Sequence, residues 1–373
     1  SDVCSSDLTA FPQTIRINGP LGGTFGATGQ TFKDAVSGDT FILNNAATPV
    51  AGGSMHGQVM AFDFALPTAS NVMNFTVNNI NQQGGAPLLV MRDFEVNSVS
   101  ASQQNPITTL NLQANRNASF GQTNNEFRLD NLNRLTTLDL KGTANRFNDG
   151  TGTTLTIGAV GGAQTLTTIT GADQNYNLFA LMFGYQSAVG GTITLGNGIN
   201  TMGANAGNWT ITSGLVPGGG TAGDSGANTV FLSPQLGNLH VVKTGGGADT
   251  FNIGFNLLPG GGRVDISSGA GNDQFNWVQS GLFPNLNSAQ KVDGGTGRDT
   301  FELWGGAINE NDSLFGQITN VEILKMAGDV GGLNNSLLLN FFANGSGLDT
   351  IITRGKYVFC DMIEVRSAKG TTI

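Results

Sequence analysis

Four short stretches of this chain repeat one arrangement of glycine and aspartate. They are Thr244 to Asn252 (TGGGADTFN), Ser268 to Asn276 (SGAGNDQFN), Gly294 to Glu302 (GGTGRDTFE) and Asn344 to Ile352 (NGSGLDTII). All four fit xGxGxDxUx, where U is a large apolar residue. A degenerate copy at residues 223 to 231 carries Asn228 in the aspartate position. The chemistry available to such a turn is the binding of a hard cation. Calcium takes about six to eight oxygen ligands. Glycine tolerates positive φ and lets a turn curl its carbonyls inward, and the carboxylate adds charge and further oxygens. The candidate ligands are Gly245, Gly247 and Asp249; Gly269, Gly271 and Asp273; Gly295, Gly297 and Asp299; and Gly345, Gly347 and Asp349. Asp293, just ahead of the third copy, is a further candidate. One turn cannot complete the coordination sphere, so a neighbouring turn must supply the rest. Read without a metal, the same turns are glycine punctuation whose aspartates bond backbone N–H groups.

Spacing gives the turns a structural context. Asp249 and Asp273 are 24 residues apart, Asp273 and Asp299 are 26 apart, and Asp299 and Asp349 are 50 apart, the length of two further coils. The apolar runs His240-Val241-Val242, Val264-Asp265-Ile266 and Leu337-Leu338-Leu339 precede turns. Strand, turn and strand would thus recur once per coil and stack the aspartates along one edge of a solenoid. A second repeat lies upstream. Ile107-Thr108-Thr109-Leu110-Asn111-Leu112 returns as Leu135-Thr136-Thr137-Leu138-Asp139-Leu140 and as Leu166-Thr167-Thr168-Ile169-Thr170, with a degenerate copy at Ile318 to Leu324. The tails Ala114-Asn115-Arg116-Asn117 and Ala144 to Asn148 also match. The core offsets, 28 and 31 residues, suit solenoid coils with more than one strand each; leucine-rich repeats have periods of ~20–29 residues and carry an Asn ladder more strictly, which favours a β-helix over a horseshoe.

The elements that must hold the turns are strands. Val59 to Phe64, Phe75 to Val77 and Thr192 to Leu195 are short, alternating and bounded by turn residues. Glycine is 56 of 373 residues and charged residues are 12%, the profile of a chain with many tight turns. A hydrophobic share of 39% argues against disorder. The one amphipathic stretch, Thr31 to Ser37, predicts a short helix. With Gly38-Asp39 and the run Thr40 to Leu43 it resembles the opening of a right-handed parallel β-helix, in which a helix covers the exposed end.

The net charge of −9 argues against nucleic acid and suits divalent cations. Two cysteines, Cys4 and Cys360, allow no disulfide framework, and no apolar run is long enough to span a membrane. Residues 1–8 match one reading frame of a common sequencing adapter. They are set aside together with Cys4, so the true N-terminus and any signal peptide are expected to be missing. Catalytic residue types are scarce. His240 reads as structural and His56 as exposed; the tyrosines are Tyr176, Tyr185 and Tyr357. Asp63, Arg92 and Asp93 could form a polar cluster, while Asp224 and Asp265 read as solvated. No GxSxG, HExxH or P-loop pattern is present. Trp277 and Trp304 read as half-buried strand residues or a carbohydrate-stacking surface, and Cys360 as a small buried apolar residue.

The glycine–aspartate nonapeptides resemble the RTX (haemolysin-type) repeat GGxGxDxUx, a calcium-binding parallel β-roll. The first glycine is replaced in three copies. The resemblance covers about residues 220 to 355. It implies a secreted, calcium-stabilised surface protein of surface-layer or adhesin type, exported by type I secretion and folding where calcium is plentiful. The tail Arg366 to Ile373 shows no obvious secretion signal. The expected fold is all-β, a right-handed parallel β-helix/β-roll solenoid. Its expected parts are an N-terminal β-helix region (9–105), solenoid repeats (106–204), a calcium-binding β-roll (205–355) and a tail (356–373). The expected partners are calcium and either cell-surface polysaccharide or further copies in a surface array. The alternative is a polysaccharide-active β-helix enzyme, a lyase, hydrolase or epimerase, which would need a carboxylate and Lys/Arg groove on one face.

Overall fold

The computed structural model describes residues 12–18, 30–35, 37–44, 58–64, 71–78, 89–93, 107–115, 124–130, 132, 134–141, 154–160, 164–173, 175–214, 226–235, 237–254, 262–278, 290–304, 309–310, 317–327, 336–337 and 347–354. The chain divides into two compact units, residues 1–195 and 196–373. Each is a parallel β-solenoid, in which the backbone alternates between two sheets and every strand pairs with the strand one coil away.

In the first unit one sheet runs Thr14–Asn18, Thr40–Asn44, Asn71–Asn78, Ile107–Asn115, Thr137–Lys141, Thr168–Gly171, Gly190–Leu195. The other runs Gln30–Ala35, Gln58–Phe64, Leu89–Asp93, Asn124–Asp130, Thr154–Val160, Asn175–Asn177. The upstream sequence repeat is consecutive coils of the first sheet. Leu110 faces Leu138, Leu138 faces Ile169 and Ile169 faces Ile193, all buried, because inward and outward positions alternate along each strand. The threonine before each strand links coils. Thr136 Oγ1 donates to the Thr108 carbonyl at 3.0 Å, and Thr167 Oγ1 to the Thr136 carbonyl at 3.3 Å.

Two sequence expectations are corrected. The segment expected as a helix at Thr31 to Ser37 is the strand Gln30–Ala35, followed by a turn at Ser37-Gly38. Thr31 and Phe32 pair with Ala61 and Phe62 of the next coil, and the register shifts between Phe32 and Ala35. The copy at Ile318 to Leu324 is not one strand. Ile318–Thr319 ends in one sheet and Ile323–Ala327 begins in the other, because Asn320 turns the chain at φ 52°. The one helix among the described residues is the single turn Leu181–Gly184. Just after it the Tyr185 hydroxyl accepts the Leu132 N–H at 3.2 Å.

In the second unit one sheet runs Asn208–Ser213, Leu239–Lys243, Arg263–Ser267, Lys291–Asp293, Ile318–Thr319. The other runs Asn200–Ala204, Thr229–Leu232, Thr250–Ile253, Gln274–Val278, Thr300–Trp304, Ile323–Ala327, Thr350–Arg354. Leu337 lies apart, in a two-stranded pairing of Ser336–Leu337 with Asn309–Glu310. The apolar residue of each glycine–aspartate motif enters the core. Phe251, Phe275 and Phe301 stack at centroid distances of 5.0 and 6.5 Å and are fully buried. Trp277 is fully buried rather than half-buried, whereas Trp304 stays 44% exposed.

Phe275 sits at the middle of that stack. Phe275→Ala is expected to lower stability by about 3–5 kcal/mol, read from the urea midpoint. Lys243→Ala, at an exposed strand end, is expected to change it by less than about 0.5 kcal/mol. Equal losses at the two positions would refute the inward assignment of the motif's apolar residue.

Candidate functional site

The three glycine–aspartate turns of residues 244–249, 268–273 and 294–299 lie directly on one another. Gly246 bridges Ala270, which bridges Thr296, and the strands that follow pair Thr250 with Gln274 and Gln274 with Thr300. Backbone and hydroxyl groups stitch the turns together. Ala270 N–H donates to Gly245 O and Thr296 N–H to Gly269 O, both at 2.8 Å. Thr244 Oγ1 donates to Ser268 O and Ser268 Oγ to Gly294 O, both at 2.9 Å. This stacking demands glycine. Gly271 and Gly297 have φ of 137° and 150°. A Cβ on Gly271 would fall on the Gly247 carbonyl oxygen, and one on Gly297 on the Gly271 carbonyl oxygen.

Each motif aspartate turns its carboxylate into the coil rather than toward water. Asp249, Asp273 and Asp299 are at most 1% exposed. Oδ1 of each accepts the backbone N–H at the same place one coil earlier: Asn228 to Asp249 at 2.7 Å, Asp249 to Asp273 at 2.8 Å and Asp273 to Asp299 at 2.7 Å. Glu322, absent from the sequence motif, continues the column, its Oε2 accepting the Asp299 N–H at 2.8 Å. Asn228 precedes the column as anticipated, its Oδ1 accepting the Asn200 N–H at 3.2 Å. In the first unit the same device occurs where Asp39 follows Gly38 (φ 97°) and accepts the Gln13 N–H at 2.8 Å.

The second oxygen of each motif carboxylate has a different fate. Oδ2 of Asp249, Asp273 and Asp299 is buried with no hydrogen-bond partner among the described residues. The Thr244 hydroxyl near Asp249 gives its proton to the Ser268 carbonyl, and the Ser268 hydroxyl near Asp273 gives its own to the Gly294 carbonyl. Burial penalises the charged form and pushes Asp249 up to about 7, Asp273 to about 6 and Asp299 to about 7. For Asp299 the charges of Asp273, Glu322 and Asp293 add to burial, against the hydrogen bond from Asp273.

The other candidates are placed differently. Asp293 Oδ1 accepts the Gly295 N–H at 3.1 Å and Asn320 Nδ2 at 2.7 Å, so that oxygen ties two turns. Asp349 Oδ1 is 3.0 Å from Arg298 Nη2. Gly347 is described (φ 82°). Gly345, His56, Asp224, Tyr357, both cysteines, the tails at residues 116–117 and 144–148, residues 1–8 and the C-terminal tail lie outside the described residues. Asp265 is a partly exposed strand residue 4.0 Å from Lys291. His240 is buried; its Nε2 sits 3.0 Å from the Asn205 carbonyl, which can only accept, so Nε2 carries the proton. Burial pulls its pKa down to about 4.

Among the described residues no three His, Cys, Asp or Glu side chains converge as a metal centre. A cation here would therefore draw on backbone oxygens as well as carboxylates. The donors fit a hard cation. They are all oxygen, each of the three aspartates has one unmet acceptor, and a carbonyl such as Gly245 O or Gly269 O keeps a second lone pair after accepting one N–H. Searches of family models, curated proteins and solved structures found no match to this chain.

Two predictions follow from this geometry. Gly271→Ala is expected to lower the melting temperature far more than Gly237→Ala. Both glycines have positive φ, but a Cβ at Gly237 would meet nothing within 4 Å. Similar melts would remove close stacking as the reason for glycine. The second prediction concerns pH. The folded pKa values of the three aspartates lie above the ordinary 3.8. Their contribution is thus fully present below about pH 4 and lost as pH rises through about 6–7. In calcium-free buffer the wild type, measured against Asp249→Asn/Asp273→Asn/Asp299→Asn, should lose melting temperature between pH 5 and pH 8. Using that difference cancels His240, whose depressed pKa acts in the opposite direction. A flat difference would mean the carboxylates are not held as described.

Proposed function

We propose that this chain is a calcium-stabilised structural solenoid of the RTX type, secreted and displayed at a cell surface in a structural or adhesive role. The observation that carries the reading is the comparison of Asn228 with the aspartates that follow it. A ladder of N–H acceptors needs only an amide: Asn228 offers Oδ1 to Asn200 N–H, and its Nδ2 finds the Gly226 carbonyl at 3.1 Å. Asp249, Asp273 and Asp299 do the same work yet each keeps a buried oxygen without a partner. Burying an uncompensated carboxylate costs several kcal/mol, so the ladder alone gives no reason for aspartate. A divalent cation between coils does. Calcium accepts irregular oxygen cages that magnesium rejects, and the glycine–aspartate spacing that resembles RTX repeats supports it. In that reading Asp249, Asp273 and Asp299, with carbonyls of Gly245, Gly247, Gly269, Gly271, Gly295 and Gly297, hold the ions, and calcium supplies the charge that lets the coils close. Metal binding is then coupled to folding, and a site saturated at 100 times its dissociation constant adds about 2.7 kcal/mol. An extracellular location, where calcium is plentiful and cysteine is not needed, follows from the same reading.

The test is a calcium titration of the purified full chain, followed by far-UV circular dichroism and thermal melts. Calcium is expected to raise the melting temperature reversibly, with magnesium much weaker. The triple aspartate-to-asparagine variant should fold and lose the response. The corresponding alanine variant should also lose the ladder, at about 1–3 kcal/mol per unmet buried N–H. A wild type indifferent to calcium, with an asparagine variant of equal or greater stability, would leave the column as protonated acids in a metal-free ladder.

A further inference from the structure

Away from the glycine–aspartate turns, one carboxylate of the second unit is buried where the strand alternation would expose it. Along Thr300–Trp304, Phe301 and Leu303 enter the core, so Thr300, Glu302 and Trp304 face outward. Glu302 is nevertheless only 3% exposed. Its Oε2 accepts Lys325 Nζ at 2.6 Å and Gln274 Nε2 at 3.0 Å. Its Oε1 is buried and has no hydrogen-bond partner among the described residues. The Lys291–Asp265 pair on the other sheet is the ordinary contrast, 4.0 Å apart and open to solvent. Around Glu302 the polar network runs from coil to coil. Gln274 Nε2 also donates to Asn276 Oδ1 at 2.8 Å, and Asn276 Nδ2 donates to Asn252 Oδ1 at 3.0 Å. Asn252, Asn276, Glu302 and Lys325 share one register position on successive coils, about 4.8 Å apart. Trp304 stands two residues past Glu302 on the same face, about 6.6 Å along the strand. It is well exposed, whereas Trp209 and Trp277 are buried.

We propose that this outward face binds a neutral glycan, with one sugar ring stacked on Trp304 and its hydroxyls bonded by Glu302, Asn276 and Lys325. The site does not depend on calcium, and it goes beyond a structural role by naming what the surface holds. The chemistry of the face selects the ligand. The Glu302 carboxylate and the Lys325 ammonium offset each other, so neither an anion nor a metal ion finds a net charge to bind. What the face offers is donors and acceptors side by side. Sugar hydroxyls need both, because each gives one hydrogen bond and accepts others. Asn276 Nδ2 spends one proton on Asn252 and keeps a second to give. Oε1 of Glu302 is the acceptor that the protein leaves unmet. Its access is set by Lys325 and Gln274, two long side chains that hold Oε2 and can shift to admit a hydroxyl. A hydrogen bond to that ionised oxygen is stronger than one between neutral groups. The indole supplies the apolar surface for the C–H side of the ring, and an aromatic wall with a few placed polar groups is the usual make-up of a small-molecule site. The span from Trp304 to Glu302 is that of a single pyranose with its hydroxyls, and the column of Asn276 and Asn252 lets a chain of sugars continue along the stack.

The experiment is affinity electrophoresis of the full-length chain, with calcium present, through gels containing a β-glucan, a mannan, a xylan or dextran. Polygalacturonate is the anionic control. Acrylamide quenching of tryptophan fluorescence is measured alongside with the matching oligosaccharides, because Trp304 is the one exposed tryptophan of the three. At least one neutral polysaccharide is expected to retard the wild type, and its oligosaccharide to shield Trp304 from the quencher. Trp304→Ala should weaken that binding at least about tenfold, with Trp304→Phe retaining part of it. Asn276→Ala and Glu302→Gln, which keeps the shape of the side chain, should weaken it as well, each in a chain that melts cooperatively. Retardation by no neutral polysaccharide, by polygalacturonate alone, or undiminished in Trp304→Ala would overturn the proposal and leave the calcium reading intact. A chain indifferent to calcium yet retarded through Trp304 would do the reverse.

Discussion

Stacked parallel strands lie about 4.8 Å apart, and that distance governs everything at the edge of this solenoid. Coils so close must follow nearly the same backbone path. A side chain that points along the stack then collides with its counterpart in the next coil. This is why Gly271 and Gly297 are glycine, with the preceding coil's carbonyl already occupying the space of a Cβ. The same distance puts a backbone N–H within reach of an aspartate or asparagine one coil on, so a short acidic or amide side chain can turn inward and still satisfy a buried donor. Turn glycine and turn aspartate are thus two answers to one spacing. The paired phenylalanines two residues later, stacked from coil to coil, show the spacing continuing into the core.

Much of this was legible in the sequence because the spacing imposes a period. Asp249, Asp273 and Asp299 are separated by single coils and do stack, and Asn228 does take the aspartate's place ahead of them. The 50-residue gap before Asp349 does hold two coils, with Glu322 in the column between them. Glu322 was invisible as a motif because its coil replaces the glycine turn by a shorter one and reaches the same N–H with a longer side chain. Only counting half of the gap could have pointed to it. The threonine repeat was also legible, since Thr136 and Thr167 recur with the coil. The strand at Gln30–Ala35 was not. Pairing with the next coil outweighed a local pattern that reads as helical. The inward turn of the carboxylates was equally hidden. Sequence shows an aspartate in a turn, but the side of the turn to which it points depends on the neighbouring coil.

Both units bond coil to coil with hydroxyls that donate to carbonyls and with carboxylates that accept N–H groups, but only the second builds a column of carboxylates. In the first, Thr136 and Thr167 hydroxyls donate to carbonyls one coil back. A hydroxyl is neutral and stacks indefinitely without accumulating charge. In the second, carboxylates also accept from N–H groups, and each added coil adds a buried carboxyl beside another, whose charged form burial disfavours. Such a column lengthens only with a counter-charge or with its carboxyls protonated. Its boundaries reflect this. At the N-terminal end the column gives way to the amides of Asn228 and Asn200, joined through the Ser213 hydroxyl at 3.1 and 3.0 Å. Toward the C-terminus Lys325 pairs with Glu302 on the following strands, and Arg298 pairs with Asp349 at the last turn. Between the amides and the guanidinium lie the three carboxylates with unmet oxygens. Neutral amides thus precede the column and cations stand on its C-terminal side, and the aspartate oxygens without a hydrogen-bond partner lie between them.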